Sequence, residues 1–374
     1  MIGLILGGGG ARGAYEAGVV RYLYTEFTQK TGIVFRPKVY CGTSIGALGA
    51  AWIAAAAEDS PRYLSYYWQT LLPGHVYRFG VGEMARALWG FLRAPGTGRG
   101  FALFDAEPLY DLIGNVLPWA RLYERLDRGE VHSVVVSATE VASGRCVLFH
   151  DGNGRIRRDT PTTRACHTRL NPTHVLASAA IPLIFPAITV DRRYYVDGGL
   201  RQNTPLSPAI ELGVDRALLV TVQHEKVADT APNVPPAPGF LAGKAMEALL
   251  IDNVDEDLRR VESFNRLLRW GTRTYPDFSE ALATGLRPYN EVRTLVVRPS
   301  EPLGRIAVSA WAKVRDELPW GTRALFRAAG EPGEDLLSML LFHHAYTGEI
   351  EALGFSDARC MEGALAELLG EDGA

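Results

Sequence analysis

The sequence predicts an α/β protein with a largely parallel central sheet flanked by helices. Two observations carry this. The apolar run Ile2-Gly3-Leu4-Ile5-Leu6 leads through a glycine-rich turn into a stretch with helical apolar spacing. Lys38 to Cys41 then repeats the pattern of strand, glycine turn and apolar helix. Strand–turn–helix units in series build parallel sheets, because each helix carries the chain back to the edge where the previous strand began.

The elements follow in order. Residues 2–6 read as a buried strand bounded by glycines. Arg12 to Tyr24 reads as a helix, with Ala14, Ala17, Val20, Leu23 and Tyr24 at helical spacing. Lys38 to Cys41 begins the second strand and Ile45 to Ala57 forms the second helix. Residues 60–125 break the rhythm. They carry Tyr63, Tyr66, Tyr67, Trp68, Tyr77, Phe79, Trp89, Phe91, Phe101 and Phe104, with an apolar helix over Val81 to Leu92 that Ala94-Pro95-Gly96-Thr97-Gly98 ends. This stretch is expected to be a helical insertion.

His132 to Thr139 returns as a strand. Cys146 to His150 and Ile156 to Arg158 flank Asp151-Gly152-Asn153-Gly154, a hairpin signal. His174 to Ala180 reads as a short helix stopped by Ile181-Pro182, and Tyr194 to Val196 as a strand leading to Asp197-Gly198-Gly199. A helix over Pro208 to Leu212 precedes a buried strand over Ala217 to Gln223. A proline-rich loop spans 231–238, a long helix runs from about Gly243 to Trp270, and Thr294 to Arg298 is the last strand. Residues 309–370 read as mostly helical. No linker or repeat divides the chain. The expected organisation is a catalytic unit over residues 1–300 with the insertion at about 60–125, and a helical region over 301–374 packed on it.

Composition bounds the function. The 374 residues are 47% hydrophobic and 22% charged, ordinary for a globular chain, and the net charge of −3 gives no basic footprint for nucleic acid. Cys41, Cys146, Cys166 and Cys360 are scattered without metal or redox spacing, which fits a reduced, cytoplasmic setting. The longest nearly apolar stretch, Ile45 to Ala57, is too short to span a bilayer, and residues 2–6 are too short for a signal sequence. Asp151-Gly152-Asn153-Gly154 lacks the rest of a calcium loop, so neither metal nor cofactor is expected.

The chemistry sits in two glycine-bearing turns. Gly42-Thr43-Ser44-Ile45-Gly46 fits G-x-S-x-G, which puts a serine hydroxyl at an exposed strand-to-helix elbow framed by Gly42 and Gly46. Gly7-Gly8-Gly9-Gly10-Ala11-Arg12-Gly13 offers unencumbered backbone N–H groups at a helix start, suited to negative charge. A serine needs a base. His224 follows a core strand where a Ser-Asp-His hydrolase would place its histidine, but its surroundings add nothing. Asp197 ends an apolar strand and precedes two glycines that let backbone approach closely; Asp-Gly alone is a common turn. Gly8, Gly10 and Gly13 also fit G-x-G-x-x-G, a dinucleotide fingerprint, yet the second strand closes on Cys41-Gly42-Thr43-Ser44 and not on an acidic residue.

Gly8-Gly9-Gly10-Ala11-Arg12-Gly13, Gly42-Thr43-Ser44-Ile45-Gly46 and Asp197-Gly198-Gly199 resemble, in order, the three signatures of the patatin-like phospholipases. Ala177-Ser178-Ala179-Ala180-Ile181-Pro182, Leu103-Phe104-Asp105, Arg201-Gln202-Asn203-Thr204-Pro205-Leu206 and the stretch Leu336 to Ala358 are also similar to soluble bacterial members. The resemblance implies a three-layer patatin-like fold and a Ser44/Asp197 dyad with no catalytic histidine. It implies an oxyanion hole from the Gly8, Gly9, Gly10 loop with Arg12 and Gly13, and an acyl-Ser44 intermediate in hydrolysis of phospholipid or lysophospholipid esters. Arg12, at the motif's basic position, would orient the loop or attract an anionic head group. Ile45 stands where many members have Ala or Ser.

The insertion has two readings. One is core packing under a lid. The other is a mobile cap that admits acyl chains or docks peripherally on lipid through Trp89, Phe91 and Leu92, with Arg78, Arg86, Arg93 and Arg99 nearby. Two other functions stay open: a conventional Ser-Asp-His esterase, and a non-catalytic lipid-binding protein of the same fold. Oligomeric state is not readable from the sequence.

Overall fold

A computed structural model describes residues 1–56, 59–78, 82, 102, 104–157, 159–224, 244–248, 254–275, 277–278, 291–318, 323 and 334–370. Its centre is a nine-stranded sheet. The strands are β1 (Ile2–Leu6), β2 (Val39–Thr43), β3 (Ser133–Glu140), β4 (Cys146–Gly152), β5 (Thr163–His167), β6 (Ile188–Val190), β7 (Arg193–Asp197), β8 (Arg216–Val220) and β9 (Arg293–Val297). The main path runs β5-β4-β3-β2-β1-β8-β9, and β3 through β9 along it are all parallel. β4 is antiparallel to β3 and parallel to β5, while β7 pairs antiparallel with the end of β3 and with β6.

The helices are α1 (Gly13–Tyr22), α2 (Ile45–Ala56), α3 (Ser60–Thr70), α4 (Glu107–Val116), α5 (Trp119–Asp127), α6 (Pro172–Ala179), α7 (Leu206–Glu211), α8 (Val254–Thr274), α9 (Leu303–Val314), α10 (Glu334–Leu340), α11 (His344–Cys360) and α12 (Glu362–Leu369). Alternation along the strands sorts them into layers. Leu4, Leu6, Tyr40, Val134, Val136, Leu218 and Val220 share one core with α1, α2, α6 and the C-terminal helices. Ile5, Val39, Cys41, Val135, Ala217 and Leu219 share a second core with α7 and Val254 of α8. A sheet buried on both faces explains the continuous apolar strands read from the sequence. Among the described residues, no helix is long and apolar enough to cross a membrane.

Several local expectations change. The first helix does not stop at Tyr24: it continues through a π turn over Leu23–Phe27 to Thr31, where Gly32 in the left-handed conformation caps it. Asp151-Gly152-Asn153-Gly154 is not a hairpin. β4 runs on through Gly152, residues 153–157 form no strand, and the hairpin lies on the other side of β4, between it and β3. The sequence reading also missed β5 and β6. β5 is short, polar and half-exposed at an edge; β6 has three residues, and its turn into β7 uses Asp191 and Arg192, both at positive φ.

The described part of the insertion is largely helical, with α3, α4 and most of α5, and non-helical stretches at 71–72, 76–78 and 104–106. Within the expected helix at Val81 to Leu92 only residue 82 is described; Trp89, Phe91, Leu92, Arg86, Arg93 and Arg99 lie outside the described residues, as does the proline-rich loop. Arg78 is exposed and pairs with Glu107 at 3.0 Å.

Candidate active site

Strand register brings the three signatures together. Leu6 pairs with Gly42, so the loop after β1 and the turn after β2 leave the same edge of the sheet side by side. Thr43 pairs with Ser137, and the next residue of β3, Ala138, pairs with Asp197. The carboxyl ends of neighbouring parallel strands are where α/β proteins place their ligands. A small recess there is lined by Gly8, Gly9, Gly10, Ser44, Ile181, Asp197, Asn203 and Met339.

Ser44 has φ 56, a left-handed conformation that is rare for a residue with a β-carbon. The turn is held by hydrogen bonds. Its N–H donates to Ser178 Oγ at 2.8 Å, Ser178 Oγ donates to the Ser137 carbonyl at 2.6 Å, and its carbonyl accepts from the Ala47 N–H at 3.0 Å to open α2. It also needs space that only glycine leaves. A β-carbon at Gly46 would stand 2.6 Å from the Leu6 carbonyl oxygen and closer still to that of Gly7. Gly46→Ala is therefore expected to lower stability by about 3 kcal/mol or to prevent folding, read by denaturant unfolding.

Asp197 is 2% exposed. One carboxylate oxygen accepts from the Gly199 N–H at 2.7 Å, and the Ser44 side chain lies near enough to the carboxylate to influence its titration. Burial pushes its pKa up to about 6, while the Ser44 hydroxyl and the Gly199 N–H pull the other way. Gly198 passes so close to the Ser137 carbonyl that a β-carbon would overlap it, so the Asp-Gly-Gly run locks the acid to β3.

The glycine loop faces Ser44: a β-carbon at Gly8 would lie 3.0 Å from Ser44 Cβ. The Gly8 N–H donates to Asn203 Oδ1 at 2.8 Å, and Asn203 Nδ2 returns a bond to the Gly8 carbonyl at 3.2 Å. Among the described residues no hydrogen bond engages the N–H groups of Gly9 and Gly10. Gly10, at φ 59, presses against the Met339 carbonyl with no room for a side chain.

Arg12 and Gly13 stand apart from the recess. The buried Arg12 guanidinium turns towards the C-terminal region, where Nε donates to Ser338 Oγ at 2.9 Å and Nη2 to the Asp335 carbonyl at 3.3 Å. Gly13 meets Ile45 and Trp68 in the wall of a neighbouring pocket. Removing the buried guanidinium with Arg12→Ala is expected to cost about 3 kcal/mol of stability by denaturant unfolding, because Ser338 and Asp335 lose their partner.

That neighbouring pocket is larger and almost wholly apolar, walled by α2, α3 and α4 with Ile181, Phe185, Leu340 and Phe342. Gly10, Ser44 and Ile181 line both, so the recess opens into it. Ile45, the departure from the usual motif, is part of this wall. None of the eight histidines lines either pocket, and His224 Nδ1 lies 2.9 Å from the Pro299 carbonyl. Among the described residues, no group of three or more His, Cys, Asp or Glu side chains is placed to hold a metal ion.

The sequence reading assigned no role to Asn203, Ser178, Ile181 or Met339. All four lie in stretches similar to the family, but nothing local shows where they point. Met339 reaches the recess only through tertiary packing.

A mostly parallel sheet between helices, with a serine elbow at its carboxyl edge opening on an apolar pocket, is the framework of a hydrolase. The chain belongs to the patatin-like phospholipase family, whose model matches residues 4–210. A "cGAMP-activated phospholipase" of Pseudomonas aeruginosa (strain BWHPSA011 / Pa011) is 28% identical over 204 residues, 54% of this chain and 53% of that protein. The match thus spans about half the length of the curated relative. Among solved structures, VipD from Legionella pneumophila aligns over 98% of this chain and 74% of its own, with 14% identity and a TM-score of 0.35.

Proposed function

We propose that this protein is a lipid acyl hydrolase that cleaves carboxylic esters of phospholipids or lysophospholipids through an acyl-Ser44 intermediate. The observation that carries the reading is that Ser44 and the buried Asp197 line one small recess, and that Ser44 also lines the adjoining apolar pocket.

Asp197 takes the Ser44 proton as the hydroxyl oxygen attacks the ester carbonyl. A pKa near 6 suits this: the carboxylate is ionised at neutral pH, yet more basic than a solvated aspartate. The tetrahedral oxyanion is held by the N–H groups of Gly9 and Gly10. Gly8 spends its N–H on Asn203 and so fixes the loop's orientation, and Arg12 holds the loop from behind through Ser338 and Asp335. Asp197 then gives its proton to the leaving alcohol, and the same base activates the water that releases the acid. The acyl chain lies in the apolar pocket, and the head group leaves through the recess. The helices of 301–374 share the core of α1 and complete one catalytic unit with residues 1–300.

Product analysis on a mixed phospholipid extract tests this. Free fatty acid and lysolipid are expected with the native chain and absent with Ser44→Ala. Absence of both products and of organophosphonate labelling in the native chain would instead make this a lipid-binding scaffold.

A further inference from the structure

The apolar pocket runs along one face of α2. Ile45, Leu48, Gly49, Trp52 and Ile53 all line it, and their spacing of three and four residues is that of a single helical stripe. Ser44 stands at the start of the stripe. Gly49 lies five residues on, about 7.5 Å of helical rise, and Ile53 nine residues on, about 13.5 Å. The stripe ends there, beside Trp52, whose ring meets that of Tyr67 edge-on at 5.5 Å. A hydrocarbon chain that leaves an ester at Ser44 and follows α2 has to pass Gly49 to reach this end.

Gly49 is the exception in the stripe. A glycine inside a helix is less stable than an alanine there, because it has more conformational freedom to lose on folding. Other glycines of the site are required by the fold: at Gly42 and Gly46 a β-carbon would run into backbone. Gly49 has no such requirement. It does not have the positive φ that favours glycine. Among the described residues a β-carbon there would meet, outside its own helix, only Leu6 Cδ1 at 3.1 Å, the tip of a flexible side chain.

The space over Gly49 belongs to the pocket. Gly49 is half-buried and keeps accessible surface, whereas Ala47 and Ala50 on the neighbouring faces of α2 keep none. The fold therefore leaves room for a side chain at position 49, and its absence holds the pocket open midway between Ser44 and the far end.

We propose that the pocket is a slot for a long acyl chain lying along α2, and that Gly49 is the specificity-determining residue that lets the chain past to Trp52 and Ile53. This rests on Ser44 being the nucleophile of an acyl hydrolase. Each further methylene carried into apolar surroundings is worth about fourfold in binding, so an open slot makes chain length count in kcat/KM.

The test measures kcat/KM for the p-nitrophenyl esters of acetate, butyrate, octanoate and dodecanoate. The native chain is expected to favour dodecanoate over butyrate by about a hundredfold or more. Gly49→Leu places an isobutyl group across the slot and should lower that ratio by about tenfold or more. Gly49→Ala adds one methyl, the room of one methylene, and should lower it by about fourfold. The alanine variant should fold at least as well as the native chain, judged by thermal unfolding, so it decides the matter if the leucine variant does not fold. A substitution that merely disturbed packing would slow every ester by the same factor and leave the ratio intact. A ratio that falls in the folded variants supports the assignment. Equal turnover of short and long esters by the native chain overturns the long-chain slot and leaves the acyl-hydrolase reading standing. A native preference that persists undiminished in the folded variants overturns the role of Gly49. If the native chain cleaves no ester, the acyl-hydrolase reading fails and the slot falls with it.

Discussion

Alanine at position 44 is expected to reduce kcat for ester hydrolysis by a factor on the order of 10⁵, as loss of a serine nucleophile does where no other group can replace it. The variant should fold normally, because alanine keeps the β-carbon and the Ser178 bond is made by the backbone N–H of residue 44. Labelling by a fluorophosphonate probe should vanish with turnover. Glycine at the same position gives a second readout. It too is inactive, but it relieves the left-handed backbone at φ 56 and should raise stability by roughly 1 kcal/mol. An alanine variant with near-native turnover would remove Ser44 from the mechanism.

Asp197→Asn should lower turnover by about 10²–10⁴-fold, the range for losing a positioned general base. The amide can still accept from Gly199 and donate to Ser44, so geometry is kept while basicity is lost. In the native chain, kcat/KM should be flat above pH 6 and fall about tenfold per unit below it, as the carboxylate with a pKa near 6 takes up a proton. The stability effect has the opposite sign. The folded pKa lies above the unfolded value of 3.8, so the folded state binds more protons between pH 3.8 and about 6. Stability is therefore lost as pH rises through that window, by ~3 kcal/mol for a shift of this size. Asparagine carries no such penalty, so the variant should be as stable as the native chain near pH 3 and progressively more stable above it, by ~3 kcal/mol at pH 7. A less stable variant at pH 7 would mean that Asp197 is held mainly by its charge, contrary to its burial.

The site was legible in the sequence to the extent that it is local. A G-x-S-x-G turn dictates its own backbone, and Ser44 stands at positive φ with glycines on either side, as such a turn requires. The parallel strands were legible because burial on both faces leaves an uninterrupted apolar run. What could not be read was direction. The glycine loop promised three N–H groups, but the first is claimed by Asn203 from far along the chain. Arg12 matched a signature and faces away from the recess, towards Ser338 and Asp335. β5 and β6 escaped notice because an edge strand held by backbone bonds needs no apolar pattern, and the hairpin at Asp151 was expected because a turn composition was present where the strand simply continues.

The wall formed by Met339, Leu340 and Phe342, like β8 beside β1, comes from chain beyond the stretch that the family model matches. A fragment trimmed to that stretch would lose a neighbour in the middle of its sheet, exposing the edge of β1. It would also lose one side of both cavities and the anchor behind the glycine loop. The reacting groups are therefore not a portable cassette: grafted or excised with their signatures alone, they would keep their spelling and lose their setting.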